Sequence, residues 1–485
     1  MITKDQFFIG GAWTAPATTR VIDVISPATE EVVARVPAAS HEDVDRAVAA
    51  ARRAFDEGPW RWLPASERAA YLEGIADHLE SRFDELSEIL TLTNATPVKH
   101  APFAAGGPIA VLRSIAKLAS EFPFVEKVEG LVGNSFLFHE PVGVTAAIIP
   151  WNGPLYLVAV KMGEALAAGC TVVVKTAPET PLDAYVLAEA IQAVGLPEGV
   201  VNIVVGDGEI GAYLVEHPGI DKITFTGSSA TGRSIMKAAA DRMKRVTLEL
   251  GGKSAAILLD DVDLDAALPF LVAGTTSFSG QVCALLSRVL VPRGRYDEIV
   301  SAYCDAVAGL KVGDPADPET DLGPLIAERQ RARVEDYISI GRDEGARIAL
   351  GGGRPPGLTR GWYVEPTVFV DVTNSMRIAR EEIFGPVVTM IPFEGDAEAI
   401  AISNDSDYGL HGSVFSADVA RAVEVGLRVR TGTLTVNGWT IDPRVPFGGF
   451  KQSGVGRENG VEGIRQFLET KALGVPEGSS WSPTS

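Results

Sequence analysis

Two side chains of the sequence combine a reactive type with an unusual setting. Cys283 lies in the segment SGQVCA, residues 279–284, whose small residues leave room near the sulfur of a nucleophile. Glu249 lies between two leucines near the end of an apolar segment. Burial without a partner raises the pKa of a carboxyl group, which suits a general base near neutral pH. Taken singly, Cys283 also fits an inert core residue, and Glu249 fits a partner of Lys253.

Two glycine-rich turns could bind phosphate. The segment GDGEIG, residues 206–211, has the dinucleotide-binding spacing between a predicted strand and a predicted helix. No acidic residue closes a strand about twenty residues later, so a plain tight turn stays open as an alternative. The segment FTGSSATGR, residues 225–233, offers free N–H groups at a helix start and the Ser228 hydroxyl. Its alternative is a capped helix without a ligand.

Composition excludes several classes of protein. The chain has 485 residues, with 43 Lys and Arg against 63 Asp and Glu, a net charge of −20, and 46% hydrophobic residues. These values are typical of a folded globular protein of two or three domains, not of a disordered chain. So acidic a chain lacks the basic face that binding of a nucleic-acid backbone requires. We therefore predict no nucleic-acid partner.

The spacing of cysteine and histidine argues against metal chemistry. The three cysteines, Cys170, Cys283 and Cys304, form no CxxC pair, and the six histidines have no metal-binding spacing. We predict no metal ion, no disulfide framework and a reducing, cytoplasmic location. The segment from Met1 to Pro16 lacks the apolar stretch of a signal peptide.

One uncharged segment, residues 141–160, has the length of a membrane span. Two prolines, Asn152 and Gly153 lie in its middle, where they would break a helix and leave polar groups unpaired. The segment therefore predicts a buried strand over Val142–Ile149, a tight loop and a helix from about Leu155. We predict no membrane partner.

The elements that must position these residues follow an α/β pattern. Ser40 caps a predicted helix, and a second helical region follows Pro64. From Pro141 onward predicted strands alternate with helices, which is typical of a parallel sheet with crossover helices. The predicted strands are Val142–Ile149, Thr171–Val174, Val200–Val205, Lys222–Phe225, Val246–Leu250, Ala255–Leu259, Ser287–Val291 and Val387–Phe393. The predicted crossover helices are Leu155–Ala168, Pro181–Val194, Glu209–His217 and Gly232–Met243.

The stretch from Glu121 to His139 separates the helical start from the first α/β strand. It predicts a hairpin of Phe124–Val128 and Ser135–His139 around Gly130 and Gly133. Because an isolated hairpin is marginally stable, we expect it to pack on another element, such as a second subunit. At the end of the chain, residues 481–485 are predicted to form a frayed tail.

Six motifs together resemble the aldehyde dehydrogenase superfamily, in the family's order. They are PWN at 150–152, FTGS at 225–228, LELGGK at 248–253, GQVC at 280–283, EEIFGP at 381–386 and PFGGFKQSG at 446–454. The spacing from Glu249 to Cys283 also fits the family, and the resemblance runs from about Phe8 to Lys471. It implies an α/β fold with two Rossmann-like parallel-sheet domains, one for the cofactor and one for catalysis, plus a small β oligomerisation element.

The resemblance also implies domain boundaries. Residues 1–120 and 140–251 would form the cofactor-binding domain, and residues 252–445 the catalytic domain. Residues 121–139 and 446–485 would form oligomerisation or bridging segments. The hairpin and Ile464–Leu473 would then lie at subunit interfaces of a homodimer or a homotetramer.

For the chemistry, the resemblance implies that Cys283 attacks the carbon of a small-molecule aldehyde. Asn152 and the backbone N–H of Cys283 would stabilise the oxyanion. Hydride would pass to a nicotinamide cofactor, and Glu249 would activate the water that hydrolyses the thioester. Lys161 matches a family lysine near the nicotinamide. Members that pass the acyl group to coenzyme A typically lack this glutamate, so its presence favours a free carboxylic acid as product.

The cofactor-binding residues that the resemblance implies are Ile148, Trp151, Lys175, Gly208, Gly227, Ser228, Gly232, Leu250, Glu382 and Phe384. Of these, Lys175 would bind the adenosine ribose. The family often has a glutamate three residues after this lysine, which repels a 2′-phosphate; here that position is Pro178, and Glu179 follows it. We therefore expect NAD as the cofactor, with NADP usable.

The substrate is expected to be an apolar, uncharged aldehyde, because the tunnel positions implied by the resemblance include no Arg or Lys. These positions are Gly153, Tyr156, Val160, Ser277, Val282, Ala284, Trp439 and Ile441. A serine hydrolase is excluded, since no GxSxG segment is present. A coenzyme A-acylating aldehyde dehydrogenase and a non-catalytic homologue stay open as alternatives.

Overall fold

The structure, a computed structural model, describes residues 1–129, 133–476 and 481. Its strands in the first half of the chain are β1 Ile2–Thr3, β2 Phe7–Ile9, β3 Ala12–Thr14, β4 Val21–Ile25, β5 Val32–Pro37, β6 Val125–Glu129, β7 Asn134–Pro141, β8 Val144–Ile148, β9 Thr171–Thr176, β10 Val201–Val205 and β11 Lys222–Thr226. The later strands are β12 Arg245–Glu249, β13 Ala255–Leu258, β14 Arg288–Pro292, β15 Arg347–Leu350, β16 Thr367–Val370, β17 Val387–Phe393, β18 Gly412–Phe415, β19 Thr435–Val436, β20 Gly454–Val455 and β21 Leu468–Val475.

The helices alternate with these strands. They are α1 His41–Asp56, α2 Ala65–Ser81, α3 Phe83–Ile89, α4 Ala101–Glu121, α5 Pro154–Ala168, α6 Leu182–Ala193, α7 Gly208–Glu216, α8 Ser229–Ala240, α9 Leu264–Thr276, α10 Tyr296–Ala308, α11 Glu328–Asp343, α12 Arg377–Arg380, α13 Gly395–Asn404, α14 Val419–Gly426 and α15 Gly460–Arg465. A π-helical turn, Leu90–Asn94, directly follows α3.

The first large sheet has eight strands in the order β20-β12-β11-β8-β9-β10-β2-β3. The five central strands are parallel, whereas β20, β2 and β3 pair antiparallel at the two edges. Along the chain the sheet grows from β8 through β9 to β10, then restarts on the other side of β8 with β11 and β12. In such sheets a crevice opens where the strand order reverses, at the carboxyl ends of the strands.

The second large sheet has seven strands in the order β15-β16-β17-β14-β13-β18-β19, all parallel except β15. The α/β class with two Rossmann-like sheets is therefore confirmed. The sheets differ from the prediction in being mixed, because short antiparallel strands cover their edges. A third, small sheet of β1, β5 and β4 at the start of the chain was not expected from the sequence.

Local sequence explains most helix ends. The Ser40 side chain and the Asp43 carboxylate form a reciprocal capping box at the start of α1, as the sequence predicts. The apolar face after Pro64 extends over two helices, because the chain breaks at Arg82 between α2 and α3. The prediction missed α4, whose interior contains two glycines and Pro108. Those residues disfavour a helix, and burial of its apolar side overrides them.

The predicted hairpin consists of β6 and β7, and a third strand joins it within the same chain. β21 pairs with β7 along its whole length, from Leu468 opposite Pro141 to Val475 opposite Asn134. The predicted turn residue Gly130, like most of the predicted tail, lies outside the described residues. Of the helices in the described part of the chain, none combines the length and the apolar character of a membrane span.

Candidate active site

The carboxyl edge of the first sheet brings together loops from four strands. Ile148 of β8 pairs with Phe225 of β11 on one side and with Lys175 of β9 on the other. Thr226 of β11 pairs with Glu249, the last residue of β12. The motifs that follow β8, β11 and β12 in the sequence therefore meet at the reversal point of the sheet.

Residues of the second sheet approach the same place from the opposite direction. Cys283 precedes β14, and the segment with Glu382 and Phe384 precedes β17. Both lie at the amino ends of their parallel strands. Two glycines, Gly251 and Gly252, connect β12 to β13 across this junction. A side chain at Gly252 would collide with the carbonyl oxygen of Cys283.

The two sheets enclose a cavity of about 270 Å³. Its lining consists of Pro150, Trp151, Asn152, Thr226, Gly227, Ser228, Leu250, Gly251, Cys283, Gln330, Arg333, Glu382 and Phe384. Two of the four expected catalytic residues and six of the ten expected cofactor residues thus share one cavity. Glu249, Lys161, Ile148, Lys175, Gly208 and Gly232 do not line it.

The loop that carries Cys283 has an unusual backbone. Phe278, Ser279 and Gly280 all have positive φ angles, of 50°, 55° and 80°. A Cβ at Gly280 would overlap the backbone of Gly385, so only glycine fits there. Gln281 fastens the turn, since its side-chain oxygen accepts a hydrogen bond of 3.0 Å from the backbone N–H of Ile326.

Asn152 lies next to this loop. Its side-chain amide donates a hydrogen bond of 3.0 Å to the carbonyl of Gln281, which places the amide beside the segment that ends in Cys283. An amide group carries two N–H donors, so one bond leaves a second donor for an oxyanion. Asn152 and Cys283 both line the cavity.

Asn94 fixes the peptide that precedes Asn152, and the sequence did not single it out. Its side-chain amide donates a hydrogen bond of 2.8 Å to the carbonyl of Trp151, which also accepts a bond of 3.3 Å from Thr180. The Asn94 oxygen in turn accepts a bond of 2.9 Å from Thr96. No sequence signal indicates this role, because Asn94 is distant along the chain and lies at the end of a π-helical turn.

Glu249 is buried, with 2% of its surface exposed, and among the described residues neither carboxylate oxygen has a hydrogen-bond partner. Burial, with the nearby negative charge of Glu458, raises the pKa of Glu249 well above its usual value. The pairing with Lys253 that the sequence left open is absent, because the Lys253 ammonium is also unpartnered. Burial, aided by the charge of Arg288, lowers the pKa of Lys253 to about 7.

Cys283 and Cys170 differ in their surroundings. Cys283 is partly exposed to the cavity, whereas Cys170 is fully buried and donates to the carbonyl of Phe467 at 3.4 Å. Burial and the charges of Glu249 and Glu382 raise the pKa of Cys283. A negative charge on the Cys283 thiolate disfavours one on the Glu249 carboxylate, and the reverse also holds. Ionisation of the two groups at the same time is therefore disfavoured. Of the described residues, none forms a cluster of three or more metal-binding side chains.

Lys161 is fully buried on α5 and forms an ion pair with Glu458 and a hydrogen bond of 3.4 Å with Thr224. Glu458 was not predicted, because it lies far along the chain. Glu164, one turn further along α5, accepts a bond of 2.5 Å from the backbone N–H of Asn459. Lys161 therefore belongs to a buried charged cluster whose charges also act on Glu249.

The two glycine-rich turns differ in whether they line the cavity. In the first, the Asp207 carboxylate caps α7 by accepting from the N–H groups of Glu209 and Ile210 at 3.0 and 3.3 Å. Its own anion thus occupies the helix start, and exposed Gly208 lies outside the cavity. The second turn lines the cavity with Gly227 and Ser228 at the start of α8. Ser228 caps α8 in the same way, since its hydroxyl accepts a hydrogen bond of 3.2 Å from the N–H of Thr231. Cofactor binding by either turn stays a prediction.

Lys175 lies buried at the end of β9, outside the cavity lining. Its ammonium donates to the carbonyls of Thr176 and Gly206 at 3.1 and 2.6 Å. Burial lowers the pKa of Lys175 to about 8, against the charges of Glu179 and Asp207. Ile148 is a core residue beside it, 6% exposed.

Two side chains of the helix α11 hold the backbone of Glu382 and Phe384 in place. Gln330 donates to the carbonyl of Phe384 at 2.7 Å, and Arg333 donates to the carbonyl of Glu382 at 2.5 Å. The Glu382 carboxylate accepts from the N–H of Gly252 at 3.0 Å, and the Phe384 ring meets Trp151 edge-on at 5.5 Å. Gln330 and Arg333 were missed because no motif marks them.

Gly232 and Leu250 form one close contact behind the cavity. A Cβ on Gly232 would come within 2.6 Å of the Leu250 side chain, so the glycine lets α8 approach that residue. Leu250 lines the cavity, whereas Gly232 lies behind it. The absence of a side chain at Gly232 therefore allows α8 to pack against Leu250.

Two of the expected tunnel residues have contacts that place them near Cys283. The indole N–H of Trp439 donates to the carbonyl of Ala284 at 3.2 Å, and Val282 lines a small cavity next to Cys283. Tyr156 is largely buried, and burial raises its pKa to about 12. The segment after Ile441 closes in a turn where Arg444 and Asp442 form an ion pair of 2.6 Å.

The chain is similar to known proteins over nearly its whole length. Residues 13–473 match the model of the aldehyde dehydrogenase family. Geranial dehydrogenase of Castellaniella defragrans is 46% identical over 97% of this chain and 99% of its own. The 3-succinoylsemialdehyde-pyridine dehydrogenase of a Pseudomonas species is 42% identical over 98% of this chain and 99% of its own.

Solved structures agree. The Mycobacterium tuberculosis aldehyde dehydrogenase complexed with NAD+ superposes with a TM-score of 0.97 at 48% identity, covering 99% of this chain and 100% of that one. A betaine aldehyde dehydrogenase of Staphylococcus aureus in complex with NAD+ superposes with a TM-score of 0.96 at 36% identity, covering 99% and 97%. This chain belongs to the aldehyde dehydrogenase family.

Proposed function

We propose that the protein oxidises an aldehyde to the free carboxylic acid and passes the hydride to NAD+, with NADP+ as a poorer acceptor. One observation carries the proposal. Cys283 and Asn152 line the same cavity as the glycine turn at Gly227 and Ser228, and the unpartnered carboxylate of Glu249 is close enough to raise the pKa of the Cys283 thiol. A nucleophile, an amide donor and a base thus converge where a dinucleotide can reach.

The described residues suit NAD. The start of α8 presents helix N–H groups and the Ser228 hydroxyl to a pyrophosphate, and the buried Thr226 hydroxyl beside them has no hydrogen-bond partner in the part of the chain that the structure describes. Glu382 and Phe384 would hold the nicotinamide ribose at the other end of the cavity, near Cys283. When bound, the cofactor supplies a positively charged ring that accepts hydride.

In the proposed reaction the Cys283 thiol releases its proton to water as its sulfur adds to the aldehyde carbon, and the carbonyl oxygen becomes an oxyanion. The second amide N–H of Asn152 and the backbone N–H of Cys283 stabilise that charge. Loss of hydride leaves a thioester on Cys283. Glu249 then takes a proton from water, the hydroxide attacks the thioester carbon, and the carboxylic acid leaves as the thiol is restored. The charge of Lys161 favours the ionised form of Glu249, whereas the charge of Glu458 opposes it.

The proposed substrate is an apolar, uncharged aldehyde. The expected tunnel side chains are aliphatic, aromatic or small, and Tyr156 stays neutral at physiological pH because its pKa is about 12. The similarity to a protein named geranial dehydrogenase points the same way. We also propose the domain boundaries given above, a cytoplasmic location, and a homodimer or homotetramer built through the sheet of β6, β7 and β21.

A product assay tests the proposal. A panel of aliphatic, aromatic and charged aldehydes is oxidised with NAD+ in the presence and absence of coenzyme A, and reduced cofactor and acid are both measured. The proposal expects free acid in equal yield with and without coenzyme A, and the highest kcat/KM for apolar aldehydes. Formation of an acyl-coenzyme A product would favour the acylating alternative. No oxidation of any aldehyde would favour a non-catalytic homologue.

A further inference from the structure

A guanidinium group that no sequence motif marks lies next to the proposed site of the adenosine ribose. Arg329, in the first turn of α11, donates a hydrogen bond of 2.5 Å to the carboxylate of Glu179. Glu179 lies four residues after Lys175, and its charge acts on the Lys175 ammonium. Three charged groups of alternating sign therefore share this end of the cofactor site.

We propose that Arg329 is the residue that receives the 2′-phosphate of NADP, and that Glu179 competes with the phosphate for it. The inference rests on the proposed function, since it needs a nicotinamide dinucleotide with its ribose at Lys175. It adds a specificity-determining pair to that site. Its consequence is that NAD binding is independent of the pair, whereas NADP binding requires Arg329 to exchange a carboxylate for a phosphate.

The position of Arg329 supports this role. It lies in the first turn of α11, and its guanidinium reaches Glu179 in the loop that follows β9, four residues after Lys175. Its side chain is 62% exposed, so it can reorient, whereas that of Glu179 is 23% exposed and is held closer to the protein. Within the described part of the chain, the guanidinium bonds to Glu179 alone, and its remaining N–H groups can grip a phosphate.

The local charges explain a preference for NAD with NADP still usable. Pro178 provides no carboxylate toward the ribose, so the strongest repulsion of a 2′-phosphate is missing. Glu179 provides a weaker one, because its charge is partly neutralised by Arg329. An exposed ion pair is weak and easily exchanged, and a doubly charged phosphate is a better partner than a carboxylate. Arg329 therefore shifts between the two anions at small cost.

The test is a binding measurement without aldehyde, so that no turnover occurs. NADH and NADPH are titrated into the full-length protein, and Kd is read from the fluorescence of the reduced nicotinamide. The variants are Arg329→Gln, Glu179→Gln and the double variant. Arg354→Gln is the matched control, because Arg354 forms an equally short ion pair of 2.5 Å with Glu335 on the same helix and is 57% exposed.

We expect Arg329→Gln to raise the Kd for NADPH about tenfold, the lower range for a hydrogen bond to a charged group, and to change the Kd for NADH less than about twofold. Glu179→Gln should lower the Kd for NADPH, and this gain should shrink in the double variant. Arg354→Gln should leave both values unchanged.

Three results would overturn the inference while the proposed function stands. They are an equal effect of Arg329→Gln on NADH and NADPH, an equal effect of Arg354→Gln, and no gain in NADPH affinity in Glu179→Gln. A wild-type protein that binds neither reduced cofactor would instead overturn the proposed function, and the inference with it.

Discussion

Replacing Glu249 by glutamine removes the proposed base with almost no change in shape. An amide cannot take a proton from water, and loss of a positioned general base costs about 10²- to 10⁴-fold in rate. At about 1.4 kcal/mol per tenfold, this corresponds to a barrier increase of about 3–6 kcal/mol. The loss should fall on thioester hydrolysis, because hydride transfer does not need this base. Rapid mixing should therefore show a burst of one reduced cofactor per subunit, followed by slow turnover.

The same substitution should stabilise the fold, and the structure gives the reason. Both oxygens of Glu249 are buried without hydrogen-bond partners, and burial raises the pKa of the group in the folded protein. In the unfolded chain a glutamate ionises near pH 4.3. In the folded protein the Glu249 carboxyl must therefore either keep its proton or carry a buried charge. Each unit of pKa difference costs about 1.4 kcal/mol at higher pH.

The pH dependence has a definite sign. Below about pH 4 Glu249 is protonated in both the folded and the unfolded protein, so Glu249→Gln gains no stability from removing a charge. Above that value the unfolded state releases its proton while the folded state retains it, so wild-type stability falls with rising pH until the raised folded pKa is passed. At pH 8 the variant should therefore unfold at a higher temperature than the wild type, and the difference should shrink toward pH 4.

The assays are stopped-flow absorbance of reduced cofactor and thermal unfolding between pH 4 and pH 9. Glu164→Gln is the control, because Glu164 is another fully buried carboxyl whose pKa burial raises, but one of its oxygens accepts a hydrogen bond from the backbone N–H of Asn459. It should produce no burst. A Glu249→Gln variant whose hydride transfer collapses without accumulation of acyl-enzyme would refute the assigned role. A variant that loses stability at pH 8 would refute the electrostatic reasoning.

Four other outcomes are expected. Cys283→Ala should abolish oxidation with unchanged NADH binding and Tm, whereas Cys304→Ala should keep most activity; oxidation retained in the Cys283 variant would exclude it as nucleophile. Asn152→Ala should lower kcat about 10²- to 10³-fold, as loss of an oxyanion donor does, and an unchanged kcat would remove it from the reaction. Asn94→Ala should lower kcat about tenfold or more with an unchanged Tm, because the Trp151 carbonyl loses a hydrogen bond and a small misplacement is costly. Light scattering should give two or four times the chain mass of 51.3 kDa, and a stable monomer at micromolar concentration would contradict the proposed oligomer.

The sequence predicted the parts of the fold that repeat a local pattern. Strand and helix bounds from Val144 to Leu258 agree within a few residues, because apolar strands, capped helices and glycine turns leave short-range signals. It failed at α4, where two glycines and Pro108 contradict a helix that tertiary packing enforces. The spacing of the first glycine turn also does not reveal that Asp207 caps the helix that follows it.

Residues that act across long sequence distances could not be predicted from this chain alone. Asn94, Arg329 and Glu458 lie 57, 150 and 297 residues from the partners that give them a role. The rule that chemistry follows the carboxyl ends of parallel strands finds Asn152 and Glu249. It fails for Cys283, which precedes its strand, because the second sheet faces the first with its amino ends.

The left-handed turn before Cys283 constrains how the enzyme can be redesigned. Gly280 has no room for a Cβ beside Gly385, and Phe278 and Ser279 hold positive φ angles, so a mutation library over that segment should return mainly inactive, poorly expressed clones. The proposed tunnel wall that includes Tyr156 and Trp439 places its two aromatic side chains on residues whose own φ angles are negative. A laboratory evolving the chain toward bulkier aldehydes should therefore collect its productive mutations on that wall, and none in the turn.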